Sequence, residues 1–150
     1  MKTFLLAAAL ATLGAPACAR DIPYPIKPDL PAVVTITGSQ TVSVRVRGGA
    51  PQTLARLDDE AVDQIQTPDI NHDGYRDLVI GQSGGSTQVY VRLFLYRPQD
   101  GTFQEIRHPA PDASPCHQFV NPEFDAKHAA FSVCLLYTSD AADERSSGDL

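Results

Sequence analysis

Asp69-Ile70-Asn71-His72-Asp73-Gly74-Tyr75-Arg76-Asp77-Leu78 sets oxygen-bearing side chains at alternate positions around a glycine turn. Asp69, Asn71 and Asp73 supply three side-chain oxygens, and Gly74 allows the sharp turn that aims the Tyr75 carbonyl at the same centre. Asp77 closes the shell at the ninth position of the stretch. Hard divalent cations such as calcium take roughly six to eight oxygen ligands of these kinds. The spacing therefore points to a Ca2+ site made by Asp69, Asn71, Asp73, Tyr75 and Asp77. An EF-hand would need a Glu at the twelfth position, which is Ile80 here, and two flanking helices. The loop instead leads into Leu78-Val79-Ile80-Gly81, a short β-type run. A plain Asn/Asp/Gly turn would use the same residues without any ion, because Asn and Asp cap the backbone and Gly takes positive φ. Three carboxylates held this close repel one another unless a cation joins them, which favours the metal.

Working outward, the chain reads as strands and turns. Ala32–Thr37 and Thr41–Val46 are strands by β-branched content and alternation, joined at Gly38-Ser39-Gln40. Residues 52–57 and 61–66 read as two further strands, separated by the acidic turn Asp58-Asp59-Glu60; a helix would also fit 61–66, but its β neighbours argue against it. Pro23, Pro25, Pro28 and Pro31 forbid helix before them and predict an extended lead-in. Beyond Gly81, residues 82–87 read as a flexible Ser/Gly loop. Residues 88–96 then form the longest strand, with Val89, Val91, Leu93 and Leu95 on one face and Tyr90, Phe94 and Tyr96 on the other. Both faces look covered. Pro98-Gln99-Asp100-Gly101 turns into a strand over 102–107, and shorter strands are expected around 116–120 and 129–133. The fold class is all-β: an antiparallel, propeller-like or sandwich-like sheet domain.

The two ends belong to other categories. Met1–Ala19 has the Lys2 n-region, the Phe4–Leu13 apolar core and the Ala17-Cys18-Ala19 cleavage site of a signal peptide. The apolar run is too short for a membrane anchor. Export to a periplasm, or secretion, is the expectation, with no transmembrane segment in the mature chain. Ala15-Pro16-Ala17 is a poor lipobox, so a lipid on Cys18 is not expected. At the other end, residues 134–144 resemble translated sequencing-adapter DNA, although an acidic disordered tail fits the composition after Ser139 equally well. On the adapter reading residues 134–150 are a non-native tail, and the β domain over 20–133 is C-terminally truncated. From Arg20 to Val133 there are 10 Lys+Arg and 14 Asp+Glu, so the domain carries about −4 against −6 for the whole chain. No basic stripe is present, which argues against nucleic acid as a partner. Of the three cysteines only Cys116 falls in the domain proper, and its disulfide mate is expected in missing sequence.

The loop at Asp69–Leu78 resembles the calcium loops of FG-GAP and integrin-propeller hairpins. With Ser83-Gly84-Gly85 before the Tyr-rich strand ending Tyr96-Arg97-Pro98, and with Asn121-Pro122-x-Phe124-Asp125-x-Lys127, residues 62–133 also resemble a bacterial cell-envelope calcium-binding family. That family includes immunity proteins against peptidoglycan hydrolases and is similar in fold to i-type lysozyme inhibitors. The resemblance implies a protein partner, a peptidoglycan hydrolase, met by Ser83, Gly84, Gly85, Ser86 and Tyr90. Hydroxyls there could bond the carboxylates that glycoside hydrolysis requires, and the glycines would let the tip enter a cleft. An ordinary Gly/Ser hairpin loop is the plainer interpretation. The chain departs from that family in lacking its lipobox and everything beyond the Asn-Pro motif. The alternative function is an FG-GAP-type calcium-dependent adhesion or surface-interaction module.

An enzyme is not expected. His72, His108, His117 and His128 are scattered, with no H-E-x-x-H spacing, and Ser83 sits in no G-x-S-x-G elbow.

Overall fold

The computed structural model describes residues 18–38, 40–57, 61–84, 88–108, 118–125 and 127–132. Residues 1–17 of the expected signal peptide, the expected turn at Asp58-Asp59-Glu60, Gly85 and Ser86 of the expected partner loop, Cys116 and residues 134–150 lie outside them.

Eleven strands and no helix make up the described chain: β1 (Ala19–Lys27), β2 (Leu30–Thr37), β3 (Thr41–Val46), β4 (Gln52–Arg56), β5 (Gln64–Gln66), β6 (Leu78–Ser83), β7 (Val89–Arg97), β8 (Thr102–Ile106), β9 (Phe119–Val120), β10 (Glu123–Phe124) and β11 (Phe131–Ser132). Every pairing is antiparallel. The first sheet is the meander β1-β2-β3-β4. The second runs β5-β6-β7-β8, with β9 continuing along the same side of β7 as β8. β10 and β11 form a separate two-stranded ribbon.

The proline-rich lead-in is a strand rather than a mere extended approach. Pro23 and Pro25 have the same parity in β1, both exposed, while Tyr24 and Ile26 turn inward. An edge strand is where a sheet tolerates residues that cannot donate to the ladder. The register of β1 shifts between Pro25 and Lys27, and there the Ile26 carbonyl accepts the Arg76 N–H at 2.8 Å. A bulge in β1 thus fastens the edge strand to the oxygen-rich loop. A second irregularity, between Val42 and Ser43 of β3, sets Leu54 as an extra residue on β4. That is why Leu54 and Ala55, consecutive in sequence, are both buried.

The two sheets share one core. Ile26, Val34, Val42 and Val44 from the first meet Leu78, Ile80, Phe94, Tyr96 and Phe103 from the second. The opposite face of β6–β7 builds another cluster, where Val79, Val91 and Leu93 pack with Ile70 and Phe119. β7 therefore splits its side chains as its alternation predicts, with Phe94 and Tyr96 in the first cluster and Val89, Val91, Leu93 and Leu95 in the second. Where β4 and β8 meet, the Gln52 side chain acts as a piece of strand. Its Nε2 donates to the Phe103 carbonyl at 2.7 Å and its Oε1 accepts the Phe103 N–H at 2.9 Å.

Three boundaries differ from those expected of the sequence. β6 runs on through Gln82 and Ser83, expected to open the loop, because both stay paired with β7, opposite Tyr90 and Val89; on the other side the Asp63 carboxylate accepts the Ser83 N–H at 3.1 Å. The strand expected over 61–66 is confined to Gln64–Gln66. Among the described residues the late strands comprise Phe119–Val120 and Phe131–Ser132.

Candidate functional site

The oxygen-rich stretch connects β5 to β6 as the long loop of a β-hairpin. Its neck is closed by the Asp77 N–H donating to the Pro68 carbonyl at 2.7 Å. Inside the neck the side chains bend back onto the loop's own backbone. Asp69 accepts the N–H of Asp73 at 3.2 Å on one oxygen and of Gly74 at 3.0 Å on the other. The Asn71 amide oxygen also receives the Asp73 N–H, at 3.4 Å, and Asp73 accepts the Tyr75 N–H at 2.9 Å. The Asn71 Nδ2 completes the set by donating to Asp73 at 3.0 Å. His72 and Gly74 both have positive φ, 58° and 84°. Glycine bears the second at no steric cost, whereas a Cβ there is strained.

Asp77 differs from the other three. It is fully buried, with 0% of its surface exposed. One oxygen accepts the Ile70 N–H at 2.7 Å and the other the Tyr96 N–H at 2.9 Å. The carboxylate thus ties the second residue of the loop to β7. Burial pushes its pKa up to about 6, against the two N–H bonds that favour the ionised form; the charges of Asp73 and Asp69 add to the rise. The Tyr24 hydroxyl lies buried without a hydrogen-bond partner among the described residues, and its pKa is raised by burial and then by the Asp77 charge.

Among the described residues no three His, Cys, Asp or Glu side chains are placed to hold a metal on their own. An ion here needs the Asn71 amide oxygen and a backbone carbonyl as well as carboxylates. Each carboxylate oxygen that receives one N–H keeps a second lone pair, so the internal bonds orient the ligands without exhausting them.

The second predicted cluster is built differently. The Ser83 hydroxyl, exposed at the end of β6, donates to Asp63. The Gly84 N–H donates to the Gln88 carbonyl at 2.8 Å, closing the neck of the loop between β6 and β7. The Tyr90 ring lies so close to Gly84 that a Cβ there would stand 1.9 Å from Cε2. The Tyr90 hydroxyl donates to Gln88 Oε1 at 2.9 Å. The structure thus brings Ser83, Gly84 and Tyr90 to one hairpin end, with both hydroxyls bonded internally. The Asn121 and Asp125 motif residues serve the backbone: Asn121 Oδ1 accepts the Val89 N–H at 2.8 Å and Asp125 Oδ1 the Lys127 N–H at 2.7 Å. A His72 ring nitrogen lies 3.0 Å from the Asp125 carbonyl, linking the oxygen-rich loop to that segment.

What the geometry defines is an antiparallel β module with an oxygen-lined hairpin loop. Residues 61–91 match the FG-GAP repeat family, a span that takes in β5, the loop, β6 and the start of β7. No curated protein and no solved structure matches the chain. Among the described residues no helix is long and apolar enough to cross a membrane.

Proposed function

We propose that the chain is an exported FG-GAP-type surface-interaction module whose hairpin loop is cross-linked by calcium. The observation that carries this is the loop itself: Asp69, Asn71 and Asp73 bent inward, over a buried Asp77 bracket, inside the FG-GAP match. Bound calcium would neutralise the carboxylates and hold the loop as one rigid hairpin end. Asp69, Asn71 and Asp73 ligate from the loop, the Tyr75 carbonyl joins them, and Asp77 contributes from beneath. The export signal at 1–19 agrees with a compartment where calcium is abundant. Inhibition of a peptidoglycan hydrolase through Ser83, Gly84, Gly85, Ser86 and Tyr90 is the weaker reading, because the Ser83 and Tyr90 hydroxyls are already engaged by Asp63 and Gln88.

Calorimetric titration of the full chain with calcium tests the proposal. The wild type should bind one ion, and Asp73→Ala should weaken binding roughly a hundredfold, since it removes a charged ligand from a shell of about six. Undiminished binding by Asp73→Ala would place the ion elsewhere.

A further inference from the structure

A cleft of about 450 Å³ opens where β1, the β3–β4 turn, the oxygen-rich loop and the β7–β8 turn come together. Lys27, Asp29, Arg47, Tyr75, Tyr96 and Pro98 are among its walls. Lys27 Nζ stands 4.5 Å from the centre of the Tyr75 ring, and that ring lies 5.5 Å from Tyr96. Among the described residues neither Lys27 nor Arg47 is in a salt bridge. Arg47 Nη2 donates to the Asp29 carbonyl at 3.3 Å. Burial raises the Tyr96 phenol, while the nearby Arg47 guanidinium pulls it the other way. Two cations thus converge on one cleft in a chain of net charge −6.

The backbone at Arg47 is unusual. It has φ of 49°, followed by Gly48 at 70°, in a turn closed by the Gly49 N–H on the Val46 carbonyl at 2.8 Å. Consecutive left-handed residues are the signature of a turn that favours Asn-Gly, and a long side chain at the first of them costs conformational energy. Such an outlier is a reason to look for a role. Here the side chain it carries is the guanidinium that lines the cleft.

We infer that this cleft binds a carboxylate-bearing saccharide of the uronic-acid type. The Lys27 and Arg47 side chains take the carboxylate, Arg47 with the fork geometry that suits it. Leu30, Val46 and Pro98 meet the C–H face of a sugar ring, and the Asp29 carboxylate accepts from hydroxyls. The net negative charge of the chain repels extended polyanions, so a ligand must carry its charge singly and be held at close range. The volume suits a ligand of one or two rings, in the range of small-molecule sites. Tyr75 belongs to both places, since its ring walls the cleft and its backbone closes the proposed calcium loop. The inference rests on the interaction-module reading and names its ligand.

The test is calorimetric titration of the calcium-supplemented full chain with a disaccharide of one galacturonic acid ring and one neutral ring, beside the matching neutral disaccharide and a dipeptide with a single net negative charge. The uronate should bind, weaken with added salt, and lose roughly tenfold or more in Arg47→Gly, as expected for a charge-assisted contact. Glycine suits the turn, so the melting temperature of that variant should hold or rise, and Lys27→Met gives a second loss while keeping the stem. Equal binding of the neutral disaccharide, stronger binding of the dipeptide, no binding of the uronate, or undiminished binding by Arg47→Gly would each overturn the inference. Calcium titration of the same samples separates its failure from that of the module reading: normal calcium binding without uronate binding removes the saccharide alone.

Discussion

Asp77→Ala is expected to destabilise the protein by about 3 kcal/mol. The carboxylate satisfies two backbone N–H groups, those of Ile70 and Tyr96, in a site with no exposed surface. Each buried donor left without a partner costs roughly 1–3 kcal/mol. Part of that loss is returned, because the carboxyl itself is held in a setting that burial makes unfavourable for its charge. A net loss near 3 kcal/mol corresponds to a fall in melting temperature on the order of 10 °C for a domain of this size. Asp77→Asn should fall between wild type and Asp77→Ala: one amide oxygen can still accept, but the amide NH2 then faces a second donor. Denaturant melts in calcium-free buffer read the effect without the ion. A change below about 0.5 kcal/mol in Asp77→Ala, the level of ordinary surface substitutions, would mean that the bracket does not hold the loop.

Chelation is expected to have nearly as large an effect. A ligand bound by the folded state alone stabilises it by about 2.7 kcal/mol at a hundred times its dissociation constant. Moving the wild type from saturating calcium into a chelator should lower its melting temperature by roughly 10 °C. Magnesium should restore little of this, since it demands a tight octahedral shell and gives up its waters reluctantly. In Asp73→Ala the two melting curves should coincide. A wild-type curve indifferent to the chelator would remove the cross-link from the account.

Much of this arrangement is legible in the sequence. The alternation over Val89–Tyr96 places its side chains on the correct faces, because a strand buried on both sides still has a strict period of two. The turn at Gly74 is legible too, since only one residue type takes its φ of 84° without strain. β1 is legible only as an extended approach, because prolines mark what a sheet interior excludes and say nothing of a free edge. Spacing marks Asp77 as a ligand; that its two oxygens each hold a backbone N–H, one of them 19 residues away in β7, is a tertiary fact. The same holds for Ser83, whose engagement with Asp63 across 20 residues no local pattern announces. The cleft is invisible in the sequence for a related reason. Lys27, Arg47, Tyr75 and Pro98 belong to separate segments, and only the packing of one sheet on the other brings them together.

Terbium luminescence offers the most direct measurement. Terbium is a hard, oxygen-seeking cation that takes calcium sites, and Tyr75 lies within the proposed shell as an energy donor. Excitation of tyrosine in the full chain should give terbium emission that calcium displaces, that Tyr75→Phe diminishes while leaving calcium affinity intact, and that Asp73→Ala abolishes. Emission that persists unchanged in Asp73→Ala, or that calcium fails to displace, would contradict a calcium site in the loop at 69–77.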